Sequence, residues 1–101
     1  MASVGRRRGD SIYDIFRIRE ILAVLDRHGE LNSYKLLKIL DTSELRINQT
    51  TALRYLNFLV LNNAVEKRVK SRGRRIPSVT YVITDFGKEL LSVLDRLEKP
   101  E

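Results

Sequence analysis

Residues 65–83 hold two short runs of alternating apolar positions, separated by a loop that carries Gly73 and Pro77. Val65 and Val69 mark the first run, and Val79, Tyr81 and Ile83 mark the second. A period of two on each side of a Gly- and Pro-containing loop reads as a β-hairpin. The other periodic segments, before and after it, repeat their apolar residues at the helical spacing of three and four. A chain of 101 residues is long enough for one domain and too short for two. The spacing therefore predicts a mainly α domain with one small antiparallel hairpin.

Asp10 or Ser11 can cap the first helical pattern, which stops at Gly29 just after His28. Ten of the fourteen positions in residues 12–25 are apolar or aromatic. That is wider than the roughly 100° stripe a helix needs to cover one core. Glu30 and Leu31 form a short extended link, and Asn32 or Ser33 caps a second helix, SYKLLKIL. Residues 41–47 read as a polar connection with room for an extra turn capped by Ser43. Asn48 caps a third helix reaching about Asn62, with Ala52, Leu56, Leu59 and Val60 facing inward and Asn63 suited to the left-handed position that ends it. In the hairpin, Val65 and Val69 share one face and the charges take the other.

Thr84 or Asp85 caps the last helix, where Phe86, Leu90, Leu91, Val93, Leu94 and Leu97 again exceed one stripe before Pro100 ends it. The expected order is helix, strand, helix, helix, hairpin, helix. Because the first and last helices carry more apolar surface than one small domain covers, a homodimer through residues 12–25 and 86–97 is expected.

The formal charge of +6 is concentrated in two places. Residues 6–8 contribute +3 and residues 66–75 contribute +5, which leaves the remainder at −2. A cationic excess placed in short segments on a slightly acidic body is the electrostatic footprint of a polyanion binder. A cationic loop pinned between two strands can lie along a phosphate backbone while a neighbouring helix enters the major groove. The bland alternative is a solubilising surface.

Other chemistries find little support. Cysteine is absent, which removes disulfides, thiolate metal sites and cysteine nucleophiles and favours an intracellular setting. His28 is the single histidine, beside a helix end, so neither a metal site nor a cofactor is expected. Asp14 with Arg17 and Asp95 with Lys99 read as surface pairing along helices rather than catalytic pairs. No nucleophile elbow or Gly-rich phosphate loop stands in the sequence, and no enzyme activity is expected. Without a spanning apolar run or an apolar leader, the chain is expected to be soluble and cytoplasmic, with no membrane contact.

The stretch INQTTALRYLNFLVLNNAVEKRV, together with YVITDFGKELL, resembles winged helix-turn-helix DNA-binding domains, particularly bacterial and archaeal regulators of the ArsR and MarR type. Ile47, Asn48, Gln49, Thr50, Thr51, Ala52, Arg54, Tyr55, Leu56 and Leu59 hold the places that carry the likeness, which extends over roughly residues 12–97. Two departures stand out: a connection between helices two and three about four residues longer than the family's tight turn, and Leu53 where a small polar residue is usual.

The resemblance implies that Gln49, Thr50, Thr51 and Arg54 meet double-stranded DNA. Gln can bond adenine bidentately, Arg can bond guanine, and Thr can take a phosphate or a thymine methyl. Tyr55 is open between a phosphate contact and packing against the wing. Lys70, Arg72, Arg74 and Arg75 are the expected backbone contacts of the wing, and Arg6, Arg7 and Arg8 are either a minor-groove arm or a solubilising tail. Residues 1–10 are expected to form a flexible basic arm and residues 11–99 the winged-helix domain. The implied function is a sequence-specific DNA-binding transcriptional regulator. An architectural DNA-coating protein or a protein-interaction winged helix are the alternatives, with RNA binding behind them.

Overall fold

The computed structural model describes residues 13–70, 73 and 77–98. Among these the elements follow the expected order: α1 (Ile15–His28), β1 (Glu30–Asn32), α2 (Ser33–Thr42), α3 (Gln49–Leu61), β2 (Val65–Lys70), β3 (Ser78–Ile83) and α4 (Asp85–Glu98). The three strands form one antiparallel sheet in the order β1-β3-β2, so β3 is central and the short first strand becomes part of the sheet. This is the winged-helix architecture, mainly α with a small hairpin.

Local chemistry explains most of the boundaries. The Asp14 carboxylate accepts the Phe16 N–H at 2.8 Å and caps α1, later than expected; Asp10 and Ser11 lie outside the described residues. Gly29 ends that helix at φ 81°, its N–H donating to the Leu25 carbonyl at 2.7 Å. Asn32 caps α2 through the Lys35 N–H at 2.9 Å, and Asn48 caps α3 through the Thr51 N–H at 2.9 Å. The connection holds one hydrogen-bonded turn, the Arg46 N–H donating to the Ser43 carbonyl at 3.0 Å, but the Ser43 side chain does not cap it. Its hydroxyl donates to the Leu40 carbonyl at 2.9 Å, so it closes α2 instead. The Ile47 N–H then returns to the same carbonyl at 3.0 Å and its side chain is buried, which folds the long connection back onto the body.

At the other end of α3, Asn63 takes the left-handed position at φ 65°, as expected. The Thr84 hydroxyl donates to the Asn63 carbonyl at 2.6 Å and accepts the Gly87 N–H at 2.9 Å, capping α4 against the end of α3. The core lies where α1, α2, α3 and β3 meet, around Leu22, Leu25, Leu36, Leu40, Leu56 and Tyr81. Each such side chain contributes about 1.5–3 kcal/mol of apolar burial.

The hairpin departs from expectation at Val69, which is 58% exposed while Val65 is buried. Strand β1 reaches β3 only as far as the Asn32–Thr80 pair, whereas Val69 pairs with Val79 and Lys70 with Ser78 beyond that point. The outer half of the hairpin has no third strand beside it and projects from the body as a wing.

Candidate nucleic-acid interface

Helix α3 has two distinct faces. Ala52, Tyr55, Leu56 and Leu59 are buried, whereas Gln49, Thr50 and Arg54 are exposed and Thr51 and Leu53 half-buried. Because residues three and four apart are neighbours on a helix, Gln49 with Leu53, and Thr50 with Leu53 and Arg54, join into one outward strip. The Asn48 cap fixes the first turn that carries Gln49 and Thr50. The strip offers amide, hydroxyl and guanidinium groups to solvent, the groups that read base edges and hold phosphates.

Tyr55 does not belong to that strip. It is 1% exposed, and its hydroxyl accepts the Asp14 N–H at 2.7 Å. Its ring meets the edge of Tyr13 at 5.2 Å, and Tyr13 stacks on Phe58 at 4.1 Å. Burial therefore corrects the expected phosphate contact: the side chain is committed to the start of α1. The aromatic type at this position suggested exposure only through the resemblance; its place three residues after Ala52 and four before Leu59 put it on the buried face all along.

Of the expected wing cations, Lys70 is exposed at the end of β2 opposite Ser78. Arg72, Arg74 and Arg75 lie outside the described residues, as do Arg6, Arg7 and Arg8. Gly73 has φ 58° with open space around it, a conformation that glycine adopts without strain. Lower on the same strand, the Arg68 Nε lies 3.3 Å from Glu66 Oε2. The hydrogen bond and charge of Glu66 raise the Arg68 guanidinium pKa, and Glu30 on the far strand adds to it. Arg68 thus pairs with Glu66 along its own strand while its side chain stays exposed to solvent. On the central strand, burial raises the pKa of the Tyr81 phenol.

Between α3 and the wing lie two adjoining hollows. One, about 540 Å³, is lined by Ser33, Tyr34, Leu37, Lys38, Asp41 and Gln49. The other, about 300 Å³, is lined by Asn32, Ser33, Tyr34, Pro77, Ser78 and Val79. They share Ser33 and Tyr34. Tyr34 is 71% exposed, with the Lys38 ammonium 5.6 Å from its ring centroid. Sequence reasoning passed over this tyrosine. The available signal was an aromatic ring off the Leu36–Leu40 buried stripe of α2.

A second surface faces elsewhere. Ile15 and Phe16 at the start of α1, and Phe86, Val93 and Leu97 on α4, are each between 44% and 65% exposed. Ile15, Phe16, Arg19, Leu94 and Leu97 surround a small hollow of about 50 Å³. Arg19 Nη1 lies 3.5 Å from Asp95 Oδ1 and ties the two helices together; the expected partner of Asp95, Lys99, lies outside the described residues. Asp14 and Arg17 pair at 3.5 Å as expected. Among the described residues, no group of three His, Cys, Asp or Glu side chains could hold a metal ion, and no helix is long and apolar enough to cross a membrane.

No protein-family model matches the chain. It is 32% identical over 82 residues to the uncharacterized protein MJ0944 of Methanocaldococcus jannaschii, an alignment that covers 81% of this chain and 63% of that protein. The chain therefore spans less than two thirds of that relative's length. Among solved structures, it superposes on Bacillus subtilis PadR in complex with operator DNA with a TM-score of 0.66 at 22% identity, covering 87% of this chain and 49% of PadR. A PadR family transcription regulator from Clostridium difficile R20291 gives the same TM-score of 0.66 at 18% identity, over 80% of this chain and 84% of that one. The circadian clock associated protein Pex from Anabaena gives 0.62 at 28% identity, over 82% and 74%. These likenesses establish the fold: a winged helix of the kind used by PadR regulators.

Proposed function

We propose that the chain is a sequence-specific, non-enzymatic binder of double-stranded DNA that regulates transcription as a homodimer in the cytoplasm. The carrying observation is the outward strip Gln49, Thr50 and Arg54 on a helix whose opposite face is buried, next to the strand that leads into the basic wing. Support comes from Bacillus subtilis PadR, which shares the fold and was solved with operator DNA. Residues 47–69 resemble ArsR and MarR regulators, and the backbone superposes on PadR proteins; both support the same use of α3. In this reading α3 occupies the major groove, where Gln49 and Arg54 read bases and Thr50 and Thr51 steady the helix on the backbone. Lys70, Arg72, Arg74 and Arg75 hold phosphates, residues 11–99 form the binding domain and residues 1–10 a basic arm.

The decisive measurement compares binding to a duplex selected from a random library with binding to random duplex, each at two salt concentrations. A specific regulator keeps a ratio of at least about 10³ between them. A ratio near one sinks the regulator reading in favour of a DNA-coating protein. No binding to either duplex at low salt favours a protein-interaction role.

A further inference from the structure

Helix α3 is flanked differently on its two sides. Gln49 shares a hollow with Leu37, Lys38 and Asp41 of α2. The start of α2, at Ser33 and Tyr34, shares another with Pro77, Ser78 and Val79 at the base of the wing. Phe58 stands nine residues after Gln49, about two and a half helical turns, and so faces the opposite way. There Tyr13 stacks on the Phe58 ring at 4.1 Å and meets the Tyr55 ring edge-on at 5.2 Å. The next N–H, that of Asp14, donates to the Tyr55 hydroxyl at 2.7 Å. The N-terminal segment is therefore rooted on the side of α3 away from α2 and the wing base.

We propose that Arg6, Arg7 and Arg8 bind DNA phosphates on that side, which in the symmetric dimer is the stretch of duplex between the two half-sites. The proposal rests on the DNA-binding homodimer reading and gives the basic arm a target. Ile15 and Phe16 follow the root directly, are each 47% exposed and line the association surface. A twofold axis through that surface draws the two roots toward the centre of the site and leaves the two wings outside.

Reach and charge both suit the spacer. Arg8 precedes Tyr13 by five residues and Arg6 by seven, so chain spans of at most about 18 and 25 Å separate them from the root. Half-sites one helical turn apart put the centre of the duplex about 17 Å from the middle of each. The arginines themselves lie outside the described residues; the fixed root is what assigns their target. At that root the Asp14 carboxylate accepts the Phe16 N–H and pairs with Arg17 at 3.5 Å, which offsets its repulsion of a phosphate. A solubilising tail, by contrast, acts through net charge alone and has no preferred stretch of backbone.

The test uses a library-selected duplex in three forms: unmodified, with neutral methylphosphonates between the half-sites, and with the same replacements outside them. Wild type and the triple variant Arg6→Gln, Arg7→Gln, Arg8→Gln are compared by fluorescence anisotropy across a salt series. On the unmodified duplex, the triple variant should shallow the slope of log K against log salt by about 0.9 per lost contact. Neutralising the spacer should erase the difference between the two proteins, whereas neutralising the outer flanks should leave it intact. A triple variant with the wild-type slope overturns the proposal. So does a difference that survives the neutral spacer, which marks a tail acting through net charge. A difference erased only by the neutral flanks also overturns it, because the arm would then lie beside the wing. If wild type binds no duplex, the DNA reading has failed and the proposal falls with it. Failure of the arm alone leaves wild-type binding, and the loss of discrimination in Gln49→Ala, in place.

Discussion

One hydroxyl joins the helix that faces outward to the helix that begins the apolar surface. Tyr55 accepts the Asp14 N–H at 2.7 Å, and Asp14 in turn caps α1 just before Ile15 and Phe16. Tyr55→Phe keeps the ring contact with Tyr13 but leaves that N–H without its acceptor. A cost of about 1–3 kcal/mol in urea unfolding is expected, with the salt slope of DNA binding unchanged, since no phosphate contact is lost. A shallower slope in this variant would return Tyr55 to the interface. Gly87 is constrained differently: a Cβ there would meet the Ala64 carbonyl oxygen and come within 2.7 Å of Ile83 Cγ1. Neither a backbone oxygen nor a packed side chain on the central strand can easily yield, so Gly87→Ala is expected to cost about 1–3 kcal/mol through overpacking. A thermal midpoint equal to wild type would show that the α3–α4 junction is looser than its geometry.

At the scale of elements, three asparagine and aspartate caps place the helices that matter, and α3 depends on one of them. The Asn48 side chain satisfies the Thr51 N–H at 2.9 Å. Its removal in Asn48→Ala is expected to cost about 0.5–2 kcal/mol and to fray the turn that presents Gln49 and Thr50. Asn48→Asp should restore stability, while Asn48→Ala should lose discrimination between selected and random duplex. Discrimination retained in the alanine variant would mean that the first turn of α3 is not where bases are read.

The Asn32 and Asn48 caps were legible in the sequence because they act over two or three residues, and so was the period change that marks the hairpin; the cap of α1 was expected at Asp10 or Ser11 and falls on Asp14. What stayed hidden depends on distant neighbours. Val69 fits the inward face of its strand, but the length of β1 leaves it uncovered. Ser43 has the chemistry of an N-cap, but its hydroxyl is taken by Leu40 behind it. Tyr55 carries a polar tip, but Tyr13 and Asp14, more than forty positions earlier, bury it. The outward strip of α3 was recoverable from spacing; the Tyr34 hollows needed the wing base to come beside α2.

For the whole molecule, the decisive feature is the apolar surface left uncovered where α1 and α4 meet. Phe16 at 47% and Leu97 at 65% exposure stand at its centre, beside Ile15 and Leu94. Both large side chains lie against one hollow, so the exposed area is contiguous rather than scattered, which is the pattern of an association site. A second copy of the same surface supplies a matching apolar face through a twofold axis. Two α3 helices related by that axis would meet half-sites about 34–36 Å apart, or a multiple of that, on a palindromic duplex. The expected result is a dimer in sedimentation at tens of micromolar. The double variant Phe16→Glu with Leu97→Glu should be monomeric yet folded, because both residues are exposed in the single chain and surface changes usually alter stability by no more than about 0.5 kcal/mol. Its affinity for a two-half-site duplex should drop to that for a single half-site, since tethering two weak contacts multiplies affinity by about 10²–10⁴ and the monomer forfeits that factor. A monomeric wild type, or a double variant that still binds the palindrome as tightly, would overturn the symmetric dimer and leave each domain to bind DNA alone.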